Sequence, residues 1–305
     1  MKLYKDFNIS KKHKRAIILI GNFDGVHVGH QKLFKLANNY KKKFNLDVGV
    51  LTFEPMPKMF FNKSIKNFRI SNINQKNIIL KNLGVDFVIT QKFDKKFSKN
   101  KSDFFIKEIL SKKLEAKYIF VSNNFKFGNK REGDVNQLIK NEKNYDYKIV
   151  KPQPLILSKK IISSTYIRSL LEKGNLKKTN KLLGRNWSIE GIVQKGRQQG
   201  KKIGFPTCNI DISDYVIAMP GVYAVNVKQK NSNKSLKAIA NLGYRPTFNQ
   251  KKILLEAHIF NFSGNLYNKY LSIEFTKFIR KEKKFKNVNQ LKKQIQSDLK
   301  VAKRS

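Results

Sequence analysis

Short apolar runs alternate with segments of helical periodicity along the first half of the chain. The segments between the runs repeat apolar residues every three or four positions, as in Leu33, Leu36, Ala37 and Tyr40. Such alternation predicts a Rossmann-like α/β fold, a parallel sheet covered by helices, whose ligands bind at the carboxyl ends of the strands. The predicted strands are Ala16–Gly21, Val48–Phe53, Phe87–Thr90, Tyr118–Val121 and Tyr147–Val150.

The pattern changes after Gly184. Apolar and polar residues then alternate with period two between glycines and prolines, which predicts antiparallel strands of a small barrel or sandwich. Leu291, Ile295 and Leu299 form one stripe of a closing amphipathic helix. The predicted strands are Ile189–Val193, Val222–Val227, Ile253–Phe260 and Leu271–Phe275.

A length of 305 residues also favours two domains over one core. We place the boundary near Gly184–Arg185, after the helix-like Leu176–Leu183, which gives domains at residues 1–184 and 185–305. No apolar run approaches the ~20 residues of a membrane span. The first one, Ala16–Ile20, is too short for a signal-peptide core.

Charge and cysteine content narrow the function classes only in part. Lysine and arginine number 64 against 21 acids, a net charge of +43 that permits binding to nucleic acid or an anionic surface. The lysines are scattered through every segment, so we interpret them mainly as solvent-facing surface and keep an RNA-binding protein as an alternative. Cys208 is the only cysteine, which excludes an intrachain disulfide and fits a reducing cytoplasm.

The most informative stretch runs from Gly21 to His30, directly after the first predicted strand and before the first helix. Such a turn offers free backbone N–H groups and the positive end of a helix dipole to phosphate. His27 and His30 share a helix face, and their imidazoles can stabilise charge that grows on phosphate oxygens as pyrophosphate leaves. Gly25 and Gly29 allow close backbone approach. A chance histidine pair in a glycine-rich turn and part of a zinc site are the alternatives.

This stretch resembles the His-x-Gly-His motif of nucleotidyltransferases and is similar, over its whole length, to that of bacterial bifunctional riboflavin kinase/FAD synthetases. Thr52–Pro57, Asn123–Gly128 and Ser163–Arg168 match further segments of the family in order. The resemblance implies that the N-terminal domain adenylylates FMN with ATP. The implied ATP-binding residues are Gly21, Asn22, Phe23, Asp24, His27, His30, Asn124, Ser164, Thr165 and Arg168, and the implied flavin-binding residues are Pro55, Pro57, Phe125 and Phe127.

Two of these segments have ordinary structural explanations when they are taken alone. The Ser-Ser-Thr sequence at residues 163–165 is also a common helix N-cap, and Phe125 and Phe127 are also typical core aromatics. Their order and spacing favour the functional interpretation.

The second half carries a kinase resemblance. Gly204–Asn209 resembles the Pro-Thr-Ala-Asn motif of riboflavin kinases, in which Thr207 and Asn209 would hold Mg²⁺ through hard oxygen ligands. Glu256 lies on the strand face opposite Leu255, and we expect its carboxylate to accept the proton of the riboflavin 5′-hydroxyl. The resemblance further implies ATP-binding by Gly196, Lys202, Gly204, Pro206, Thr207 and Asn209, and flavin-binding by Asn241, Arg245 and Arg280.

Alternatives remain for each part of this second site. Glu256 alone is also typical of a solvated strand position, His258 is expected only to pack or hydrogen-bond, and Gly196–Lys202 superficially resembles a P-loop. Cys208 stands where the family usually has alanine, and we interpret it as a packing residue. Three further departures from the family pattern lie at Ser122–Asn123, Asn268 and Lys281.

The resemblance covers the chain from about Ala16 to Ala302 and implies a cytoplasmic enzyme that makes FMN and then FAD. Its substrates would be riboflavin, FMN and ATP, with Mg²⁺ as cofactor. We expect a monomer or weak homo-oligomer with no membrane partner and no specific nucleic acid. A different His-x-Gly-His nucleotidyltransferase or a class I aminoacyl-tRNA synthetase relative is the alternative enzyme, but it leaves the barrel-like half unexplained.

Overall fold

The structure is a computed structural model whose described residues are 1–66, 68–157, 159–196, 198–230, 232, 234–246 and 251–304. Packing divides the chain into a first unit, Met1–Ile65 with Ile73–Ile162, and a second unit, Lys66–Asn72 with Ser163–Ser305. Within the described ranges, no helix is long and apolar enough to cross a membrane.

The first unit alternates strands with helices, as its sequence pattern predicts. A three-residue 3₁₀ helix, Lys11–His13, precedes the strand Ile17–Ile20, and a π-helix, Phe105–Lys113, continues the helix Ser102–Phe104. Its regular elements are β1 Lys2–Tyr4, β2 Ile17–Ile20, α1 Val28–Phe44, β3 Val48–Glu54, α2 Pro57–Phe61, α3 Ile73–Asn82, β4 Phe87–Lys92, α4 Lys95–Ser98, α5 Ser102–Phe104, β5 Tyr118–Phe120, β6 Lys126–Phe127, β7 Gly133–Asp134, α6 Val135–Lys140, β8 Lys148–Val150, β9 Ile156–Leu157 and β10 Lys160–Ile161.

Six strands of the described chain form the sheet of this unit, in the order β1–β4–β3–β2–β5–β8 and all parallel. Central strand β2 shows why the apolar runs of the sequence predict the strands of this sheet. Ile18 and Ile20 belong to the apolar cluster on one face of the sheet, and Ile17 and Leu19 belong to the cluster on the other. A strand buried on both faces must be apolar throughout, so the α/β prediction is confirmed.

The second unit is a closed antiparallel barrel, so of the two predicted architectures the barrel is the correct one. Its strand order is β11 (Ser188–Gln194), β12 (Cys208–Asp211), β15 (Lys251–Ile259), β14 (Ser235–Pro246), β13 (Gly221–Gln229) and β16 (Tyr270–Lys281). Two strands were not predicted: Cys208–Asp211 has only four residues, and the consecutive buried residues 238–240 blur the alternation of Ser235–Pro246. The elements of this unit are α7 Ser164–Glu172, α8 Leu176–Leu183, β11 Ser188–Gln194, α9 Gln199–Lys202, β12 Cys208–Asp211, β13 Gly221–Gln229, β14 Ser235–Pro246, β15 Lys251–Ile259, β16 Tyr270–Lys281 and α10 Val288–Lys303.

The closing helix α10 is attached to the barrel by a partly buried ion pair. Arg280 of β16 donates from Nε to both carboxylate oxygens of Asp298 at 2.9 and 3.0 Å, and its Nη2 lies 2.8 Å from Oδ2. Asp298 is 3% exposed. A bidentate pair in this setting fixes the orientation of the helix as well as its position.

Residues 66–72 lie far from the barrel in sequence but pack in the second unit. Arg69 forms a parallel bridge with Tyr215, and the indole N–H of Trp187 donates to the carbonyl oxygen of Ile70 at 3.0 Å. Trp187 is 1% exposed, so this hydrogen bond is buried. We call residues 66–72 the inserted segment.

His13 gives the stability of the first unit a pH dependence. Its Nδ1 lies 2.7 Å from the Tyr4 hydroxyl, its ring stacks on Phe87 at 4.6 Å, and burial lowers its pKa against a smaller opposing effect of Asp47. Because the unfolded chain binds this proton at a higher pH than the folded chain, protonation favours unfolding. We expect the free energy of unfolding to fall between about pH 7 and about pH 5.5, and to fall less in His13→Gln.

Denaturant unfolding followed by circular dichroism measures this difference. Trp187, the single tryptophan, lies in the second unit, so its fluorescence is an internal control that the substitution leaves unchanged. An equal loss of stability in wild type and His13→Gln would contradict the prediction.

Candidate active sites

Three sequence motifs of the first unit follow three adjacent parallel strands. Gly21 comes directly after β2, Pro55 directly after β3, and Asn124 four residues after β5. Strand β2 lies between β3 and β5 in the sheet, and the chain leaves it toward β3 and β4 but returns to β5 and β8 on its other side. The loops after β2 and β5 therefore flank a topological switch point, where ligands of open α/β sheets bind.

The two histidines form a stacked pair at the start of α1. His27 is the N-cap residue, and its Nδ1 accepts a hydrogen bond from the backbone N–H of His30 at 3.3 Å. The two rings are parallel within 17° and their centroids are 3.6 Å apart. A Cβ at Gly29 would lie 3.1 Å from His27 Nδ1, which explains the glycine of the motif: it makes room for the first imidazole.

His30 is held in the neutral state. Burial, and secondly the neighbouring His27, keep the pKa of His30 well below its usual value. His30 Nδ1 is buried and has no hydrogen-bond partner among the described residues. An unsatisfied imidazole nitrogen beside a helix N-terminus is a group that a bound phosphate would satisfy.

The turn between β2 and α1 is tight and rests on the core. Phe23, Gly25 and Val26 all have positive φ, at 48°, 77° and 37°, which is an unusual backbone conformation for the two larger residues. Phe23 and Val26 are nevertheless buried, and the Phe23 ring packs edge-on against His30 at 5.2 Å. The side chain of Phe23 thus packs against the imidazole of His30. The contact of Phe23 with ATP stays a prediction.

The loop after β5 lines an open pocket. Asn124 is exposed and its Oδ1 accepts from Ser122 Oγ at 2.9 Å. Phe127 is buried, while Phe125 stacks on it at 5.5 Å and is half-buried. Phe127 therefore contributes to the core, and the flavin contacts of Phe125 and Phe127 stay predictions. The residues that line the pocket are Asn123, Phe125, Lys126, Asp134, Val135, Asn136 and Lys151.

The flavin motif enters helix α2. Pro57 is its first residue, and Pro55 follows a cis peptide bond with Glu54. Phe60 and Phe61 at the end of this short helix contact Phe93 edge-on at 5.3 and 5.7 Å, so aromatic side chains flank the loop. The flavin contacts of Pro55 and Pro57 stay predictions.

The third phosphate motif belongs to the second unit. Ser163 caps α7 by accepting from the N–H of Tyr166, as the structural interpretation of this segment predicted, and Ser164 and Thr165 occupy the first turn. Arg168 stacks on Phe68 of the inserted segment at 3.6 Å and donates from Nε to the Phe68 carbonyl oxygen. The contacts of Ser164, Thr165 and Arg168 with ATP stay predictions.

In the barrel, the candidate base lies between two amide side chains. Glu256 of β15 pairs directly with Asn209 of β12 on one side and with Asn241 of β14 on the other. Residues directly opposite one another in an antiparallel sheet share a face, with Cβ atoms about 5 Å apart. Because Cys208, Ala257 and Ala240 form the neighbouring row and are buried inside the barrel, the three polar side chains project outward, as the period-two pattern predicts.

Asn209 has the features of a metal ligand. It is 6% exposed, and its carbonyl oxygen Oδ1 is buried with no hydrogen-bond partner among the described residues. A Cβ at Gly196 would lie 2.3 Å from Asn209 Nδ2, so the glycine lets this loop cover the amide. Thr207 lies two residues earlier and is half-buried, so an alcohol and an amide oxygen are available to a hard cation. In the described part of the chain, no cluster of His, Cys, Asp and Glu could hold a metal instead.

A short helix and a histidine shape the loop before β12. Helix α9 has four residues and ends at the exposed Lys202, which is unlike the long helix that follows a P-loop. Gly204 has φ +92°, and His258 Nδ1 donates to the carbonyl oxygen of Pro206 at 2.8 Å. His258 therefore holds the loop by hydrogen bonding. Burial raises the pKa of Cys208 to about 11, so its thiol stays protonated and serves packing.

The three barrel residues that the sequence predicts to bind flavin have different surroundings. Asn241 is beside Glu256, whereas Arg280 is engaged by Asp298 of α10. Arg245 lies in β14, but its side chain is outside the described residues. Glu282, which was not predicted, approaches the same strand: a Cβ at Gly243 would lie 2.0 Å from its Oε1 and 3.3 Å from Asn241 Nδ2.

Comparisons with known proteins find two families along the chain. The family model described as FAD synthetase matches residues 9–166, and the one described as riboflavin kinase matches residues 183–305. The chain is 38% identical over 310 residues to the bifunctional riboflavin kinase/FMN adenylyltransferase of Buchnera aphidicola subsp. Schizaphis graminum. This alignment covers 100% of this chain and 98% of the relative. The protein of the same name from Escherichia coli strain K12 is 36% identical over 98% of this chain and 96% of its own.

A solved structure also extends over both units. The crystal structure titled macrolide-efflux protein from Streptococcus pneumoniae has a TM-score of 0.85 and 29% identity, and it covers 99% of this chain and 98% of that chain. The match therefore spans the α/β unit and the barrel together.

Proposed function

Because the chain belongs to the bifunctional riboflavin kinase/FMN adenylyltransferases, with an N-terminal FAD synthetase domain and a C-terminal flavokinase domain, we propose that its two activities use separate ATP sites. The adenylyl-transfer site is the loop between β2 and α1 with its stacked His27 and His30. The kinase site is the outer row Asn209–Glu256–Asn241 of the barrel. The observation that carries the proposal is that the stacked histidines begin α1 beside the switch point of the sheet, whereas Asn209, Glu256 and Asn241 lie side by side on adjacent strands of the barrel.

In the first site, an oxygen of the FMN phosphate attacks the α-phosphorus of ATP. A new P–O bond forms as the bond from the α-phosphorus to the bridging oxygen breaks, and pyrophosphate leaves. No side chain has to act as nucleophile. The imidazoles of His27 and His30 and the N-terminus of α1 donate hydrogen bonds to phosphate oxygens whose charge increases in the transition state.

In the second site, the 5′-hydroxyl oxygen of riboflavin attacks the γ-phosphorus of ATP and ADP leaves. Glu256 accepts the hydroxyl proton. Its neighbours Asn209 and Asn241 orient it from both sides, since the three strands fix their spacing. Thr207 and Asn209 would hold Mg²⁺, which would neutralise charge on the transferring phosphate.

The domain boundary, the cellular location and the oligomeric state of the enzyme are also proposed. A kinase domain that begins near residue 185 is supported by the riboflavin kinase match from residue 183. A cytoplasmic location and a monomeric or weakly self-associating chain stay predictions from the sequence.

Thr207→Val tests the metal ligand. Removing this hydroxyl should raise the Mg²⁺ concentration for half-maximal riboflavin phosphorylation at least about tenfold, because a small cation with few protein ligands loses one of them. FMN-to-FAD conversion by the same preparation should not change. The measurement is chromatography of products formed from riboflavin, or separately from FMN, with ATP over a Mg²⁺ series.

Thr276→Val is the matched control, since Thr276 donates to the Ala224 carbonyl oxygen elsewhere on the barrel. An unchanged Mg²⁺ dependence in Thr207→Val would remove Thr207 from the metal site. A wild-type preparation that makes FMN but no FAD from FMN would refute the proposed adenylyl-transfer site.

A further inference from the structure

One lysine of the first unit is buried between the two reactant-binding motifs. Lys76 of α3 is 6% exposed. Its Nζ donates to the carbonyl oxygen of Asn22 at 3.3 Å and to the hydroxyl of Thr52 at 3.1 Å. Asn22 is the second residue of the His-x-Gly-His loop, and Thr52 begins the flavin motif near the end of β3. A single ammonium group therefore links the two motifs.

The burial of Lys76 is costly and needs a reason. Transferring an ammonium group out of water is unfavourable unless hydrogen bonds and charges compensate for it, and lysine is among the residues least often buried. Lys81 on the same helix is exposed, as is usual for the lysines of this chain. Helix packing by itself would be served by an apolar side chain at position 76, as it is by the buried Leu80 one turn later.

The contacts of Lys76 determine the geometry of the turn that bears the histidines. Hydrogen bonding to Asn22 fixes the carbonyl group two residues after β2, and the positive-φ residues that follow leave this turn little freedom. Thr52 is fully buried in β3, so it is a rigid anchor for the other side of the ammonium group. The positive charge also lies at the sheet edge where two phosphate-bearing reactants must meet.

Resting on the adenylyl-transfer site proposed above, we propose that Lys76 is a positioning residue for this reaction. It holds the ATP-binding turn against the flavin-binding strand in the geometry that aligns FMN with the α-phosphate. In-line transfer depends on this alignment. A displacement of about 1 Å can lower a rate about 10²-fold.

The test compares Lys76→Met, Lys76→Arg and Lys76→Gln in the full chain. Lys76→Met should lower kcat for FMN adenylylation about 100-fold, with riboflavin phosphorylation within about twofold of wild type. Lys76→Arg keeps the positive charge and the hydrogen-bond donors. Its kcat for FMN adenylylation should therefore be at least about tenfold higher than that of Lys76→Met. Lys81→Met is the matched control and should retain both activities.

A merely structural lysine gives a different result. If Lys76 only stabilises the fold, the loss in Lys76→Met should disappear at a temperature where circular dichroism shows the variant to be folded, and this outcome overturns the proposal. So does adenylylation within about threefold of wild type, or an arginine variant no more active than the methionine variant. If Lys76→Met does not fold, Lys76→Arg is compared with Lys76→Gln instead. An adenylylation kcat about tenfold higher in the arginine variant supports the proposal, and equal values overturn it.

Discussion

Glu256→Gln should lower the kcat of riboflavin phosphorylation by about 10²- to 10⁴-fold, the usual contribution of a general base. The amide has nearly the shape of the carboxylate, so Asn209 and Asn241 keep their neighbour and the barrel keeps its register. The KM values for riboflavin and ATP should change little, because the lost interaction forms in the transition state. FMN-to-FAD conversion should be unaffected.

Glu274→Gln is the control for this experiment. Glu274 is another barrel glutamate, and its carboxylate lies 3.0 Å from Lys228 Nζ in a partly exposed ion pair. Both activities should persist in that variant. Residual riboflavin phosphorylation within about tenfold of wild type in Glu256→Gln would exclude Glu256 as the base.

His27→Ala and His30→Ala should each lower the kcat of FMN adenylylation by about 10²- to 10³-fold, as the removal of one donor to a developing oxyanion does. The two losses should not add fully, because the rings are stacked at 3.6 Å and His27 also caps the helix that carries His30. Phosphorylation of riboflavin by the same variants should remain.

His13→Gln is the corresponding control, since it removes an imidazole from the same unit outside the motif. It should keep adenylylation near the wild-type rate at neutral pH. Loss of both activities in the His27 or His30 variant would show that the two sites are not independent, and full adenylylation in both would refute the role of the histidines.

The parts of the structure that local pattern determines were predicted. All five predicted strands of the sheet are present, and in central strands such as residues 17–20 burial on both faces forces an uninterrupted apolar run. The outward direction of Glu256 followed from simple alternation with Leu255 and Ala257. Strand β14 was not predicted because Ala238, Ile239 and Ala240 are consecutive buried apolar residues, so both faces are apolar there and the period-two contrast is lost.

Features that depend on distant contacts could not be predicted. Lys76 is one of many lysines, and nothing in its neighbourhood in sequence indicates that Asn22 and Thr52 will surround its amine. Arg280 was assigned to flavin by resemblance, but only the folded chain reveals Asp298 as its partner. His258 was expected to pack or hydrogen-bond, yet its acceptor, the Pro206 carbonyl oxygen, is set by loop geometry.

The inserted segment limits how far the two enzymes can be separated genetically. Residues 66–72 lie within the stretch matched by the FAD synthetase family, yet they complete the packing of the unit that contains the barrel. A gene cut at the family boundary would remove the Ile70 carbonyl oxygen that accepts from the Trp187 indole N–H, along with the segment that packs near this buried ring. A free-standing kinase that evolved from such a chain would therefore need new residues in place of the inserted segment. In sequence, the two units are interleaved, because residues 66–72 of the second unit lie between two parts of the first.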